Sequence, residues 1–538
     1  MTTLQSAAEW NAEGCDYPDE RRPDERRIVR SGVKAWLGRR LPSGMTGRND
    51  DGMTMNEYGI VGFGAYVPRL RLDRAAIADA YKWMNPSLRS AAKGFRAFAS
   101  WDEDAITMAV EAGRAALGDA DRSPITACHV ASTTFPYADL SNAVIVGSAL
   151  GLSDDIVAAN AAGSQRAGTT ALREVLTAAR HDALVIAAER PVTAPASVSE
   201  MQAGAGAAAL RLGHEGVIAR FLGAASRSVH FVDHFRAADH AVDYGWEERW
   251  VRDEGYAKIV PPTVAAALAD AGVDIAAVDF LVFPSLLKGV VATIARQIGF
   301  GGTIVGGFEG DVGYCGVAQG FLMLCAALEQ CRPGQRIMMI GFGQGADVLL
   351  FEATDACAAY TSPRGATAAA ADRNDTSDYL RLLSFYDQIS LDWGMRSEKL
   401  IKAIMTEQYR NADQIDDFTG GKCGQCATPQ FPVLNYCVNP SCRAPASVFA
   451  PIALADQPAR IFTVTTDWLS YHPAPPLALG FVQFDIGARL MMEFVDARPD
   501  ELEVGTRLKM LFRIKDRDRV RGINRYFWKA APLSAAGE

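Results

Sequence analysis

Four cysteines near the C-terminus, Cys423, Cys426, Cys437 and Cys442, are spaced C-x2-C-x10-C-x4-C. Two close pairs separated by a hairpin-length stretch are what a tetrahedral thiolate site requires. Each pair reaches the metal from one tight turn, and Gly424 and Pro440 suit such turns. The other six cysteines, Cys15, Cys128, Cys315, Cys325, Cys331 and Cys357, follow no pattern, and no secretory signal precedes them. That argues against a disulfide framework. A closed four-thiolate site offers no coordination position to substrate, so the spacing predicts a structural zinc that folds an accessory module.

The elements ahead of that module hold most of the chain. At 538 residues, 49% hydrophobic and 22% charged, the sequence predicts a globular protein of two or three domains. A net charge of −9 argues against a nucleic-acid partner, because phosphate binding needs a basic face. No apolar run reaches the ~18 residues of a membrane span. Reduced cysteines and a thiolate zinc site predict a cytoplasmic setting. Residues 1–54 are polar and charge-rich, with the mixed run Asp19-Glu20-Arg21-Arg22, and read as a flexible extension. From Tyr58 to Glu352, strand-like and helix-like segments alternate, the mark of a layered α/β domain, here bounded at 55–353.

Ser100-Trp101-Asp102-Glu103 reads as a capping box ahead of a helix whose apolar stripe holds Ile106, Ala109, Val110, Gly113 and Leu117. Strands are expected over Ala127–Ser132, Ala183–Ala188, Phe280–Phe283 and Arg336–Ile340. Helices are expected over Gly168–Arg180, Val290–Ile298 and Val317–Gln330. Two α/β halves of similar length suggest a duplicated fold, although the sequence itself does not visibly repeat. Residues 354–378 lack a hydrophobic period and read as a linker. Residues 379–445 hold a helical arm and the cysteine ribbon. Alternating segments within 446–538 predict a small closed barrel.

Several stretches of the large domain resemble hydroxymethylglutaryl-CoA synthase, especially its archaeal type, within the thiolase superfamily. They are Gly59-Ile60-Val61-Gly62-Phe63-Gly64-Ala65-Tyr66-Val67-Pro68-Arg69, Phe135-Pro136-Tyr137 with Ala143-Val144-Ile145-Val146, and Ala167-Gly168-Thr169-Thr170-Ala171-Leu172. Gly341-Phe342-Gly343-Gln344-Gly345-Ala346 resembles the family's closing loop. The C-terminal part resembles the zinc-ribbon/OB-fold proteins that associate with acyl-CoA enzymes, bridging a thiolase to a synthase or partnering a thiolase-like aldolase. The resemblance implies a duplicated α/β/α/β/α domain, then a rubredoxin-like ribbon and an OB barrel. It further implies a CoA thioester ligand, a homodimer and a separately encoded thiolase partner.

At the family's catalytic positions this chain departs. The nucleophilic cysteine aligns with Gln165, the histidine with Pro284 and the general-acid glutamate with Thr133. The asparagine aligns with Val312 or Asp311. An amide does not attack a thioester, and proline carries no proton to exchange. Three readings stay open. The domain is a degenerate acyl-CoA-binding subunit whose chemistry lies in a partner thiolase. Alternatively it is an active acyltransferase with a rearranged site using Ser164 or Cys315. In the third, Gln165 serves a decarboxylase-like role by mimicking an acylated cysteine. His230, His234 and His240 cluster in sequence but do not share a helical face, and read as solvated or capping residues.

Overall fold

In the computed structural model, residues 58–533 are described; the expected extension over 1–54 lies outside them. Apolar runs form the strands, and their order reveals the duplication. The first half supplies β1 (Gly59–Tyr66), α1 (Ala105–Leu117), β2 (Ile125–Ala131), α2 (Asn142–Ala149), β3 (Val157–Ala161), α3 (Ala167–Ala178), β4 (Asp182–Glu189) and β5 (Gly206–Gly213). The second supplies β6 (Ala219–Ser228), α4 (Ala257–Ala271), β7 (Phe280–Val282), α5 (Val290–Gln297), β8 (Thr303–Ile304), α6 (Gln319–Leu328), β9 (Arg336–Phe342) and β10 (Gly345–Ala353).

The strand order is β3-β2-β4-β5-β1 in one half and β8-β7-β9-β10-β6 in the other. In each, three parallel strands are followed by two antiparallel ones. A short antiparallel pairing of β1 with β6 joins them into ten strands. Helices α3 and α6 pack against strands of both halves, while α1 and α4 cover the outer faces. These are the five layers expected. Close packing dictates composition here: a Cβ at Gly64 of β1 would stand 2.3 Å from the Ala116 backbone nitrogen of α1, so only glycine lets strand and helix approach so closely.

Helix α1 departs from its expected start. Its N-cap is Asp104, whose carboxylate accepts the Thr107 N–H at 2.9 Å while the Thr107 hydroxyl accepts the Asp104 N–H at 2.9 Å. Glu103 does accept the Ser100 N–H at 2.7 Å, but it closes only a turn. Residues 354–378 are structured, with Ala366–Ala371 helical and packed on the domain core and Asn374–Thr376 paired with Leu70–Asp73.

The barrel comprises β11 (Ala459–Ile461), β12 (Leu477–Phe484), β13 (Arg489–Glu493), β14 (Arg507–Asp518) and β15 (Ile523–Pro532). The Phe494–Ala530 bridge closes it, completing the order β14-β11-β12-β13-β15 around to β14. It is bolted to the α/β domain in the same chain. Arg513 meets Glu103 at 2.8 Å and Asp496 at 2.7 Å, Lys529 meets Asp102 at 3.0 Å, and Tyr526 donates to Asp104 at 2.7 Å. All of these but the partly buried Asp496 are buried in one apolar cluster running from Ile106 and Met108 of α1 to Phe512 and Trp528 of the barrel. Asp102, Glu103 and Asp104 therefore serve an interdomain seam as well as the start of a helix.

Candidate functional site

Parallel strands β2 and β4 deliver their C-terminal ends to one edge of the sheet, where α3 begins. Thr133 follows β2, Glu189 ends β4, and Gln165 sits in the turn before Ala167. Glu189 is only 1% exposed, and its Oε2 accepts both the Thr133 N–H and the Thr133 hydroxyl at 3.1 Å. Gly316, just ahead of α6, brings in the second half. A Cβ there would stand 2.6 Å from Glu189 Cγ and 3.2 Å from Gln165 Oε1. Pro284 follows β7 and lies against α6, with Cγ 3.7 Å from where a Gly320 Cβ would stand. The fold thus gathers Thr133 and Gln165 around Glu189, and sets Pro284 against the helix that starts beside them. From the segment after β6, the Arg236 guanidinium donates to the Thr133 carbonyl.

Burial governs the protonation of the groups gathered here. Burial raises the Glu189 pKa above the usual carboxylate value, opposed by hydrogen bonds from Thr134, Thr133 and the Val317 N–H. Burial likewise raises Tyr314 well above its normal value. Cys315 is fully buried, with its thiol pushed up to about 12 by burial, so it stays a neutral thiol enclosed in the core. Ser164 donates to the Gly343 carbonyl at 3.0 Å, with no base paired to its hydroxyl among the described residues. Val312 is buried, and Asp311 pairs with Arg373 at 3.0 Å; neither offers an amide to the cleft. His234 bonds Asp233 at 3.0 Å and His240 bonds Asp239 at 2.8 Å, each its own sequence neighbour.

The second site is the ribbon. The four cysteine Sγ atoms lie within 4.8 Å of one another, the only such cluster of potential metal ligands among the described residues. The Cys423–Cys442 and Cys426–Cys437 separations are 3.8 and 3.5 Å. Four thiolates about 2.3 Å from a tetrahedral metal would be spaced by about 3.8 Å, so the cluster has the dimensions to hold one. Each pair is turned inward by a left-handed residue behind it, Ala427 at φ 58° and Arg443 at φ 51°. Gly424 donates to the Val448 carbonyl, and a Cβ on it would approach that oxygen to 2.6 Å.

Glu189 was not legible as a site residue. It closes the run Ala183-Leu184-Val185-Ile186-Ala187-Ala188, and an acid ending a fully apolar strand is the signal that could have pointed to it.

Fold and site together define a thiolase-fold condensing-enzyme domain fused to an OB module. The chain is 30% identical over 312 residues to a hydroxymethylglutaryl-CoA synthase of Methanocaldococcus jannaschii, covering 55% of this chain and 88% of that protein. It is also 30% identical over 305 residues to the one from Pyrococcus horikoshii, covering 85% of it. The chain belongs to the hydroxymethylglutaryl-CoA synthase family. Among solved structures, the synthase of the curacin biosynthetic pathway matches with a TM-score of 0.52 at 21% identity, over 63% of this chain and 93% of that one. Residues 455–513 match the model of the ChsH2 C-terminal OB-fold domain. Among the described residues no helix is long and apolar enough to cross a membrane.

Proposed function

We propose that this protein is the acyl-CoA-binding subunit of a thiolase-type complex that forms or cleaves carbon–carbon bonds next to a CoA thioester. The observation that carries this reading is the composition of the cleft. Thr133 and Gln165 gather around a buried Glu189, with Pro284 against α6, and in this reading the three take the family's catalytic positions. Such a cleft can hold a thioester but has no group to attack it. The rearranged-site alternative would rely on Cys315, whose burial keeps it protonated and closed off, or on Ser164, which has no base. Decarboxylase-like use of Gln165 would need further donors for the developing enolate oxygen, and Pro284 supplies none.

In this reading the cysteine ribbon holds a structural zinc, and the OB module docks a separately encoded thiolase. The seam with the α/β domain already occupies one side of the barrel, so the partner meets a different side. The α/β domain forms a homodimer. Strand β3 is a sheet edge with Val157 exposed, and Val144 of neighbouring α2 is exposed as well, a hydrophobic margin that a second copy would cover.

The test is turnover of acetyl-CoA plus acetoacetyl-CoA by the purified chain, with and without candidate thiolases. No turnover alone and turnover beyond that of the thiolase when mixed is the expected result. Efficient turnover by the chain alone would refute the proposal.

A further inference from the structure

Two buried oxygens bordering Gly316, Gln165 Oε1 and Glu189 Oε1, lack a well-formed hydrogen bond, although the Val317 N–H and the Thr134 hydroxyl lie close enough to act on the Glu189 carboxyl. Both side chains border Gly316. The position of a Cβ there is 3.2 Å from Gln165 Oε1 and equally 3.2 Å from the Glu189 carboxyl carbon. Two buried acceptors bordering the same glycine cost about 1–3 kcal/mol for each that stays unpaired. One proton shared between them pairs both. The other end of the amide, Gln165 Nε2, is not among the buried unpaired atoms of this half-buried residue.

We propose that Glu189 is a positioning residue: it carries a proton, donates it in a hydrogen bond to Gln165 Oε1, and so holds the Gln165 NH2 toward the cleft as a donor for the carbonyl oxygen of a bound acyl thioester. This rests on the acyl-CoA reading above and specifies which atom grips the ligand. If Glu189 ionises, the carboxylate instead draws the amide NH2 inward, and the cleft is offered an acceptor that repels the thioester oxygen. Binding therefore weakens as pH rises. The neighbouring groups do not supply a competing switch. Tyr314 and Cys315 face Glu189 and are held neutral by burial, while Arg236 is engaged by the Thr133 carbonyl and by Asp243 at 3.4 Å. Burial of Glu189 favours the protonated form.

The probe is butyryl-CoA carrying 13C at its thioester carbonyl, titrated into the full chain across about pH 6 to 9. Calorimetry gives the affinity, and difference infrared spectroscopy gives the carbonyl stretch. Wild type should bind with a red-shifted carbonyl band and lose affinity on raising pH. Glu189→Gln, whose amide donates as the protonated acid does, should retain the shifted band at every pH. Gln165→Leu should abolish the shift, weaken binding about tenfold, and show only the pH response of the ligand itself. Binding by wild type without a carbonyl shift, or a pH response unchanged in Glu189→Gln, overturns the positioning role while leaving the acyl-CoA reading intact. Absence of any butyryl-CoA binding to wild type overturns both.

Discussion

Asp416 is a carboxyl in a place that disfavours its charge. It lies where the ribbon meets α2, 3.5 Å from the Ser148 hydroxyl, and its own carbonyl accepts the Trp528 indole N–H at 2.7 Å. Burial, with Asp417 adding repulsion, pushes its pKa up to about 6. The folded state therefore binds a proton more tightly than the unfolded chain does. Stability contributed by this group is present at low pH and lost as pH rises from about 4 through about 6. Asp416→Asn should stabilise the protein by about 1–3 kcal/mol at pH 7.5 and by little at pH 4, read from denaturant midpoints. Equal effects at the two pH values would contradict the assignment. Residues of this kind mark the limit of sequence reading. Gln165, Pro284 and Thr133 stand out because a motif surrounds them, whereas the roles of Asp416 and Glu189 depend on burial, which no local pattern reports.

At the scale of elements, the ribbon illustrates what spacing alone conveys. The C-x2-C-x10-C-x4-C pattern is local, so the four sulfurs meet as expected. Metal analysis should find about one zinc per chain with Zn–S distances of about 2.3 Å by X-ray absorption. Cys426→Ser should expose residues 419–453 to proteolysis while the α/β domain keeps its protection; an unchanged digestion pattern would argue against a metal-dependent ribbon. Strands β4 and β9 and helix α5 were readable because each is a clean apolar run or stripe. The start of α1 was not. Ser100 to Glu103 has the side chains of a capping box, but Glu103 also answers a charge from a barrel strand some four hundred residues away, a tertiary demand absent from the local sequence.

For the whole molecule, the duplication shows in the strand order and was suggested by two α/β halves of similar length, while the residues themselves do not visibly repeat. The interdomain seam was hidden, and it decides how the fused module behaves. Glu103→Leu should leave the buried Arg513 with Asp496 as its remaining ion-pair partner and cost about 3–5 kcal/mol. Glu103→Leu with Arg513→Met should cost clearly less, since replacing both charges with apolar groups removes the desolvation penalty as well as the pair. Denaturation of the two variants measures the difference. A double variant less stable than the single would show that the ion pair stabilises the seam by more than its desolvation costs.

If the site holds an acyl thioester without reacting with it, mass spectrometry of the chain incubated with acetyl-CoA shows this most directly. Under native conditions the account predicts a homodimer carrying non-covalent acetyl-CoA. Under denaturing conditions the expected mass is that of the unmodified chain, because in the proposed reading Gln165 replaces the attacking thiolate and an amide does not attack a thioester. A covalent acetyl group that survives denaturation and maps to Ser164 or Cys315 would contradict the account and establish a rearranged catalytic site.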